Sequence, residues 1–593
     1  MRVFLLVLLL AICASAGFFD TKLGEKIKKT LGKIKAALNG TLLMKIREKF
    51  IALREKIKAK LKLSPARKAL LGEIMKHIIK IKKDKIQEKG DSIEEINSKS
   101  AIGELLYQGD IVLTNKQAQE IVDDIEGDEN DRGKRQAFRD RNYPRTLWSK
   151  GVYYYFHGNA TPEVRSVFTK GARLWMKDTC IDFFESNSAP DRIRVFKEQG
   201  CWSYVGRIGG QQDLSLGKGC ESVGTAAHEI GHAIGFYHTH SRHDRDNFIT
   251  FNAQNVKPDW LDQFTKQTPA TNENYGITYD YGSIMHYGAN SASANGQPSM
   301  VPFDPKYVET LGSPIISFYE LLMINKHYEC TSKIRFSIDA LVYVEHLSNL
   351  IQRIAIRILL RSWIWRPTMR PEGSHQITAV RLAPLSQMLG SDKFYFQPSG
   401  CGSILQATAQ YQNLHDKRGN EAAGQRPRED MDFCYYWITV FEQLTMHKMS
   451  DSLKHAFQAP QGSRIEIKIA DLSRGAAVDG CQYWGVEIKT HADQRLTGYR
   501  FCAPEDVGRT LVSNSNIVPI ITYNRFYATT VDIQYRIVGG NVGGPRPQPQ
   551  PNSNCVDNEQ CATLIRTKNF CQSRSFTESV KRGLCPKACG FCR

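Results

Sequence analysis

The sequence predicts a multidomain fold that includes a β-sandwich and a small disulfide-rich unit, and three observations carry that expectation. The 593 residues exceed the roughly 100–200 that one domain uses, so about three to five modules are expected. The cysteines are clustered rather than spread. Alternating stretches such as SRIEIKIADL and TVDIQYRIV have the period of two that a half-buried strand requires.

The N-terminus sets the compartment. Arg2 precedes VFLLVLLLAIC and then Ala14-Ser15-Ala16, a charged start, a short apolar run and a small-residue cleavage site. Residues 1–16 therefore read as a secretory signal, too short to remain as a membrane span. The expectation is a secreted, extracellular protein with no stable membrane anchor.

The formal net charge of +18 is uneven. Residues 17–100 hold 23 Lys+Arg against 10 Asp+Glu, whereas 101–135 hold 4 against 9. A basic balance concentrated in one segment does not describe a nucleic-acid binder, and none is expected as a partner. Within 20–90, Leu and Ile recur at helical spacing among lysines. Such a basic amphipathic helix suits an anionic membrane, but a solvated prosegment helix is the favoured reading.

Of 15 cysteines, Cys13 leaves with the signal. The even remainder suits full pairing in an oxidising compartment. They group as four (Cys180 to Cys330), four (Cys401 to Cys502) and six (Cys555 to Cys592). Ahead of them, Arg132, Lys134 and Arg135 form a basic processing signal after an acidic, Gly-containing stretch. A processing protease acting at Arg135 would divide a prosegment, 17–135, from the mature chain.

The residues that carry chemistry are HEIGHAIGFYH at 228–238. On a helix, His228 and His232 share one face, so both imidazoles can bind one Zn²⁺. Glu229 lies where it can take a proton from water. Gly235 permits the sharp turn that returns His238 as a third nitrogen ligand. Three protein ligands leave the open position of a catalytic zinc, one per chain. SIMHY at 283–287 supplies a Met-turn, with Met285 as adaptable packing beneath the ligands.

HEIGHAIGFYHTHSRHDRD with SIMHYG resembles the astacin branch of the metzincins, and so do RLWMKDTCIDF, GCWSYVGRIGGQQDLSLGKGC and NKHYEC. The resemblance covers 136–330. It implies an α+β catalytic domain of two lobes, zinc on His228, His232 and His238, and Glu229 as general base and acid. It also implies that Tyr287 is a switchable ligand whose hydroxyl stabilises the oxyanion, and disulfides Cys180–Cys330 and Cys201–Cys220. GGQQDLSLG is expected as the edge strand on which an extended substrate lies. Where the family commonly has a glutamate paired with the mature N-terminus, this chain has Thr239, and Gln136 would be its first residue. The buried N-terminal ion pair is therefore expected to be absent. LYQGDIVLT at 106–114 resembles the inhibitory motif of astacin prosegments, which implies that Asp110 reaches the zinc as a zymogen switch; the bland reading is a Gly-Asp turn between strands.

Residues 391–537 resemble a CUB domain, on FQPSGCG, MDFCYYWI, GCQYWGVEI and YRFCAPE. This implies pairs Cys401–Cys434 and Cys481–Cys502 and a protein-binding exosite. A Gly/Pro linker occupies 538–554. Residues 555–592 resemble a ShKT module, whose usual pairing implies Cys555–Cys592, Cys561–Cys585 and Cys571–Cys589. Residues 331–390 fit no module, and 441–458 interrupt the CUB pattern; each reads as a lineage-specific insertion or a gene-model artefact. Asn39 and Asn159 are glycosylation acceptors by pattern.

The expected function is a secreted zinc endopeptidase, made as a zymogen, that acts on extracellular matrix or cuticle proteins, collagen among them. The alternative is an inactive astacin scaffold that binds other proteins through its CUB and ShKT modules.

Overall fold

Short helices carry the basic N-terminal stretch: α1 (Gly40–Ala52), α2 (Arg54–Lys60), α3 (Pro65–Met75) and α4 (Ile93–Lys99). The computed structural model describes residues 40–126, 137–138, 143–268, 272–330, 401–440 and 462–539. In the C-terminal segment it describes 557, 561–573, 576, 581 and 585–591. The signal 1–16, Asn39, the basic triplet Arg132, Lys134 and Arg135, Gln136, segments 331–390 and 441–458, the linker 540–554, and Cys555 and Cys592 lie outside the described residues.

Local chemistry starts these helices. The Ser64 hydroxyl accepts from the Arg67 N–H and Pro65 occupies the first turn of α3, while the Ser92 hydroxyl accepts from the Glu95 N–H at α4. Their apolar faces are not solvated. Ile46, Phe50, Ile57 and Leu61 are buried in one cluster with Trp260, Leu261 and Phe264 of the neighbouring domain. Arg47 pairs with Asp262, and Arg54 meets Asp259 at 3.1 Å. In the described part of this stretch the apolar face therefore packs on protein in the intact chain rather than facing solvent.

The N-terminal region continues as β1 (Ile111–Val112) and α5 (Asn115–Glu126). The catalytic unit comprises β2 (Ala137–Phe138), β3 (Val152–Phe156), α6 (Pro162–Asp178), β4 (Phe183–Glu185), β5 (Arg192–Phe196), β6 (Cys201–Tyr204), β7 (Gln211–Leu216) and α7 (Val223–Ile234). The main sheet runs β1-β6-β7-β5-β3-β4. The expected edge strand is here corrected: β7 is interior, antiparallel to β6 and parallel to β5. Five of its six residues are buried, as a strand covered on both faces requires. Leaving β1 aside, β6 and β4 are the two edges of this sheet, and β1 of the N-terminal region pairs along β6 in parallel, Ile111 opposite Ser203.

Above the site, α6 and α7 pack Val164, Phe168, Trp175, Ala227 and Ile230 against Ile193, Val195 and Leu214 of the sheet. Gly171 permits the close approach, because a Cβ there would lie 3.0 Å from the Ala227 nitrogen. Below α7 the chain is mostly irregular. It contains β8 (Ile249–Phe251) paired antiparallel with β10 (Met300–Pro302), and β9 (Asn272–Glu273) paired with β2. Helix α8 (Phe318–His327) starts at a Ser317/Glu320 capping box. Cys180–Cys330 and Cys201–Cys220 are bonded as expected.

The next unit is a β-sandwich. One sheet holds β11 (Ser403–Gln406), β13 (Asp432–Thr439), β18 (Ile517–Asn524), β15 (Trp484–Ile488) and β16 (Tyr499–Phe501), in that order. The other holds β12 (Gln412–Gly419), β19 (Ala528–Val538), β14 (Arg464–Leu472) and β17 (Thr510–Val512). The predicted alternation is present: Ile465, Ile467 and Ile469 of β14 and Val531, Ile533 and Tyr535 of β19 face the core. Cys481–Cys502 is bonded. The expected Cys401–Cys434 bond is not formed, and both residues are free. The parallel pairing of β11 with β13 brings the Cys401 thiol into side-chain contact with that of Cys434, and the Cys401 sulfur also lies 3.5 Å from the Phe433 carbonyl. Burial, followed by the contact with Cys401, pushes the Cys434 thiol up to about 12.

At the C-terminus, α9 (Cys561–Lys568) is closed by Cys561–Cys585 and Cys571–Cys589. Leu564 and Phe570 pack with Leu70 and Ile74 of α3 and with Phe303.

Candidate active site

Helix α7 begins at Ser222, whose hydroxyl accepts from the Thr225 N–H, and ends at Gly235 with φ 122°. A side chain at Gly235 would require a conformation costly for any other residue. Within the helix, Gly231 leaves room for the Met285 sulfur, which would lie 2.7 Å from a Cβ there. Met285 thus packs directly beneath the helix that carries His228 and His232.

The three histidines meet with their outer nitrogens held. His228 Nδ1 donates to the Ile284 carbonyl at 2.7 Å, and His232 Nδ1 to the Phe236 carbonyl at 2.8 Å. His238 Nδ1 meets Gln108 Oε1 at 3.0 Å. A nitrogen that donates outward leaves the other as an inward acceptor, which is the tautomer a metal needs. The Nε2 atoms of His228 and His238 are 3.3 Å apart, and His232 Nε2 has no hydrogen-bond partner among the described residues. All three rings are buried. Burial holds the His232 imidazole below its usual value and pushes His238 down to about 3, so both stay neutral.

Asp110 enters the same space from the N-terminal region, directly before β1. Its Oδ2 lies 3.1 Å from His238 Nε2 and 3.3 Å from His228 Nε2, and its Oδ1 lies 3.5 Å from His232 Nε2. These four residues converge closely enough for one cation. Burial would raise the Asp110 carboxyl, but the three imidazoles that surround it hold it well below its usual range, so it stays anionic. Three inward imidazole nitrogens, one of them buried without a partner, and a fourth, carboxylate oxygen are the donor set of a tetrahedral zinc, so the residues present fit the metal.

The residues before β1 form the turn that brings this carboxylate in. Tyr107 and Ile111 exchange backbone hydrogen bonds of 2.9 and 3.0 Å, so Gln108-Gly109-Asp110 is a turn, and that turn delivers the carboxylate. Gly109 sits at φ 84°, where a Cβ would lie 2.8 Å from the Tyr287 hydroxyl. Asn97 on α4 ties the turn to the rim by donating to the Gly109 and Cys201 carbonyls and accepting from the Cys201 N–H. Asn97 and Gln108 escaped the sequence reading; a buried amide beside a motif leaves no spacing signal.

Glu229 is fully buried, and neither carboxylate oxygen has a partner among the described residues. Burial, then the Asp110 charge, raises it well above its usual range. The Tyr287 hydroxyl donates to the Gln108 carbonyl and lies 3.1 Å from Asp110 Oδ2. Its ring is stacked on His240 at 4.6 Å. Thr239 is buried, with its hydroxyl 2.7 Å from the Ser283 hydroxyl, while Glu320 accepts from Ser283 and from the Ile284 and Met285 N–H groups. Asn159 is exposed, but its amide nitrogen donates to the Lys197 carbonyl, and Thr161 caps α6.

The model of the astacin family of peptidases matches residues 140–329. The chain is 38% identical over 557 residues to zinc metalloproteinase nas-31 of Caenorhabditis elegans, covering 91% of this chain and 83% of that protein. It is 29% identical to zinc metalloproteinase nas-29 of the same animal, covering 77% and 80%. Among solved structures, high choriolytic enzyme 1, a hatching enzyme zinc-protease from the medaka fish Oryzias latipes, aligns at 32% identity and TM-score 0.29. That alignment covers 32% of this chain and 94% of that one.

Proposed function

Because the chain belongs to the astacin family and is a zinc metalloendopeptidase, we propose how its own residues divide the work. His228, His232 and His238 hold the zinc, which when bound polarises the scissile carbonyl and acidifies water. Glu229 accepts the proton of the attacking water and returns it to the leaving amine; its high proton affinity in the buried site suits both duties. Tyr287 donates its hydroxyl to the oxygen that gains charge. The rim strand β6 takes an extended substrate by strand addition.

The chain is read as a zymogen. Asp110 fills the fourth position among the histidines, β1 covers the substrate rim, and cleavage at Arg135 by a processing protease releases both. Segment 1–16 directs secretion; no described helix is long and apolar enough to cross a membrane. The β-sandwich, as a CUB domain, and the C-terminal disulfide unit, as a ShKT module, select the substrate, an extracellular matrix or cuticle protein such as procollagen.

The observation that carries this reading is the convergence of three inward imidazole nitrogens beside an unpartnered Glu229. The test is zinc content and hydrolysis of denatured collagen, before and after cleavage at Arg135, with Glu229→Ala alongside. One zinc per chain, with activity that appears on cleavage and is absent from the variant, is expected. Bound zinc without activity after cleavage would move the assignment to a binding scaffold.

A further inference from the structure

The prosegment does more than insert Asp110. Between α3 and α4, residues 82–91 cross the β-sandwich and make directed contacts with it. The Asp84 N–H donates to the Ala477 carbonyl, and the Ala477 N–H donates back to Asp84 Oδ2, both at 3.0 Å. The Lys82 N–H donates to Glu505 at 3.2 Å, and Gln87 donates to the Tyr483 hydroxyl at 3.0 Å. The Tyr483 hydroxyl in turn donates to Asp91 at 2.5 Å. Ile86 packs against the apolar core of the sandwich.

Lys83 lies at the centre of this crossing. Its ammonium is 2.5 Å from Glu309 Oε2 of the catalytic unit and 3.8 Å from Asp479 Oδ1 of the sandwich. Glu309 is buried, and its other oxygen has no partner among the described residues. Asp479 continues into the catalytic unit. Its Oδ2 accepts from the Asn290 N–H at 3.0 Å, and a Cβ on Gly288 would lie 2.2 Å from it. The loop it touches directly follows Tyr287. One ammonium thus joins three parts of the chain: the prosegment, the sandwich and the loop beyond the candidate oxyanion donor.

We propose that the β-sandwich is a second anchor of the inhibitory prosegment, with Lys83 as the latch seated between Glu309 and Asp479. The inference rests on the zymogen reading and extends it, because latency then belongs to two modules instead of the catalytic unit alone. The physical reason is that the Asp110 turn is short and would open locally if nothing held the chain on either side of it. Helix α5 holds the downstream flank, with Ala118, Ile121 and Ile125 packed in one cluster with α1 and the lower lobe, and the Lys83 crossing holds the upstream flank against the sandwich. After release, Glu309 and Asp479 would face each other without a cation, which disfavours the empty seam and favours rebinding of the prosegment.

The experiment uses the full chain cleaved at Arg135, so that the prosegment is held without a covalent link. Peptidase activity on a short peptide is followed as the cleaved complex is diluted, which reads prosegment affinity. The unsubstituted chain is compared with Lys83→Met, Lys83→Arg and Asp110→Ala. Residue 83 departs with the prosegment, so every Lys83 variant yields the same mature enzyme and a change in affinity cannot arise from altered catalysis. Lys83→Met is expected to weaken prosegment binding by roughly ten- to a hundred-fold, the range for truncating one member of a partly desolvated ion pair, and Lys83→Arg to restore much of it. An unchanged affinity in Lys83→Met, beside a clear loss in Asp110→Ala, would overturn the latch and leave the zymogen reading intact. No loss in either variant would overturn the zymogen reading, and the latch with it.

Discussion

In the upper lobe, Phe168, Trp175, Ile193 and Ile230 lie buried side by side between two helices and a sheet. In the lower lobe, Arg242 and Arg245 are equally buried, and they direct their donors to backbone carbonyls. Arg242 reaches Ile277 and Thr278, and Arg245 reaches His240 and Phe264. Each guanidinium also lies over an aromatic ring, Tyr279 or Phe251. The contrast follows from backbone accounting. A sheet and two helices pair their own carbonyls, so apolar side chains can fill what remains; an irregular chain cannot, and side-chain donors must reach the buried carbonyls.

Four substitutions test this contrast. The largest effect is expected from Trp175→Ala, which opens a cavity in the upper lobe and removes the hydrogen bond to the Ala227 carbonyl. A loss of about 3–5 kcal/mol is expected, read as a lowered thermal or urea midpoint of the catalytic unit. In the lower lobe, Arg245→Met keeps much of the volume but strands the His240 and Phe264 carbonyls. A loss of about 1.5–3 kcal/mol is expected by the same measurement; an unchanged midpoint would show that the lower lobe does not depend on these bonds.

The third prediction concerns pH. Burial, followed by the nearby Asp280 charge, pushes Glu320 up to about 7, against roughly 4.3 in an unfolded chain. Between these values the folded state binds more protons than the unfolded one, so this group makes stability fall as pH rises from about 4.3 to about 7. Glu320→Gln should flatten that slope while lowering stability overall, since one acceptor for the Met-turn N–H groups is lost. Urea titrations at several pH values across that range would show it, and a slope that stays steep would reassign it to other groups. The smallest effect is expected from Ser222→Ala, which removes the cap of α7 and should cost about 1 kcal/mol in the same midpoint, with zinc content unchanged.

The two lobes were also unequally legible. Helix α7 announced itself, because two histidines four apart with a glutamate between them and a glycine beyond define a helix face and its end. The sandwich strands β14 and β19 were readable from their period of two. The position of β7 was not. QQDLSL carries no mark that separates a rim strand from an interior one, since the neighbours that bury it lie far along the chain. Nor could spacing show that Cys401 and Cys434 would lie side by side as free thiols.

The candidate ligand set, the candidate general base, the Met-turn and the Gly109-Asp110 turn could all be read from primary structure, because each depends on residues within a few positions of one another. What closes the site was settled by folding. Asn97 and Gln108 hold the turn and the third imidazole, β1 lies along β6, and Lys83 joins the prosegment to two other modules. These are contacts between residues as far apart as Lys83 and Asp479, and no local period or spacing records a partner that chain folding alone brings within reach.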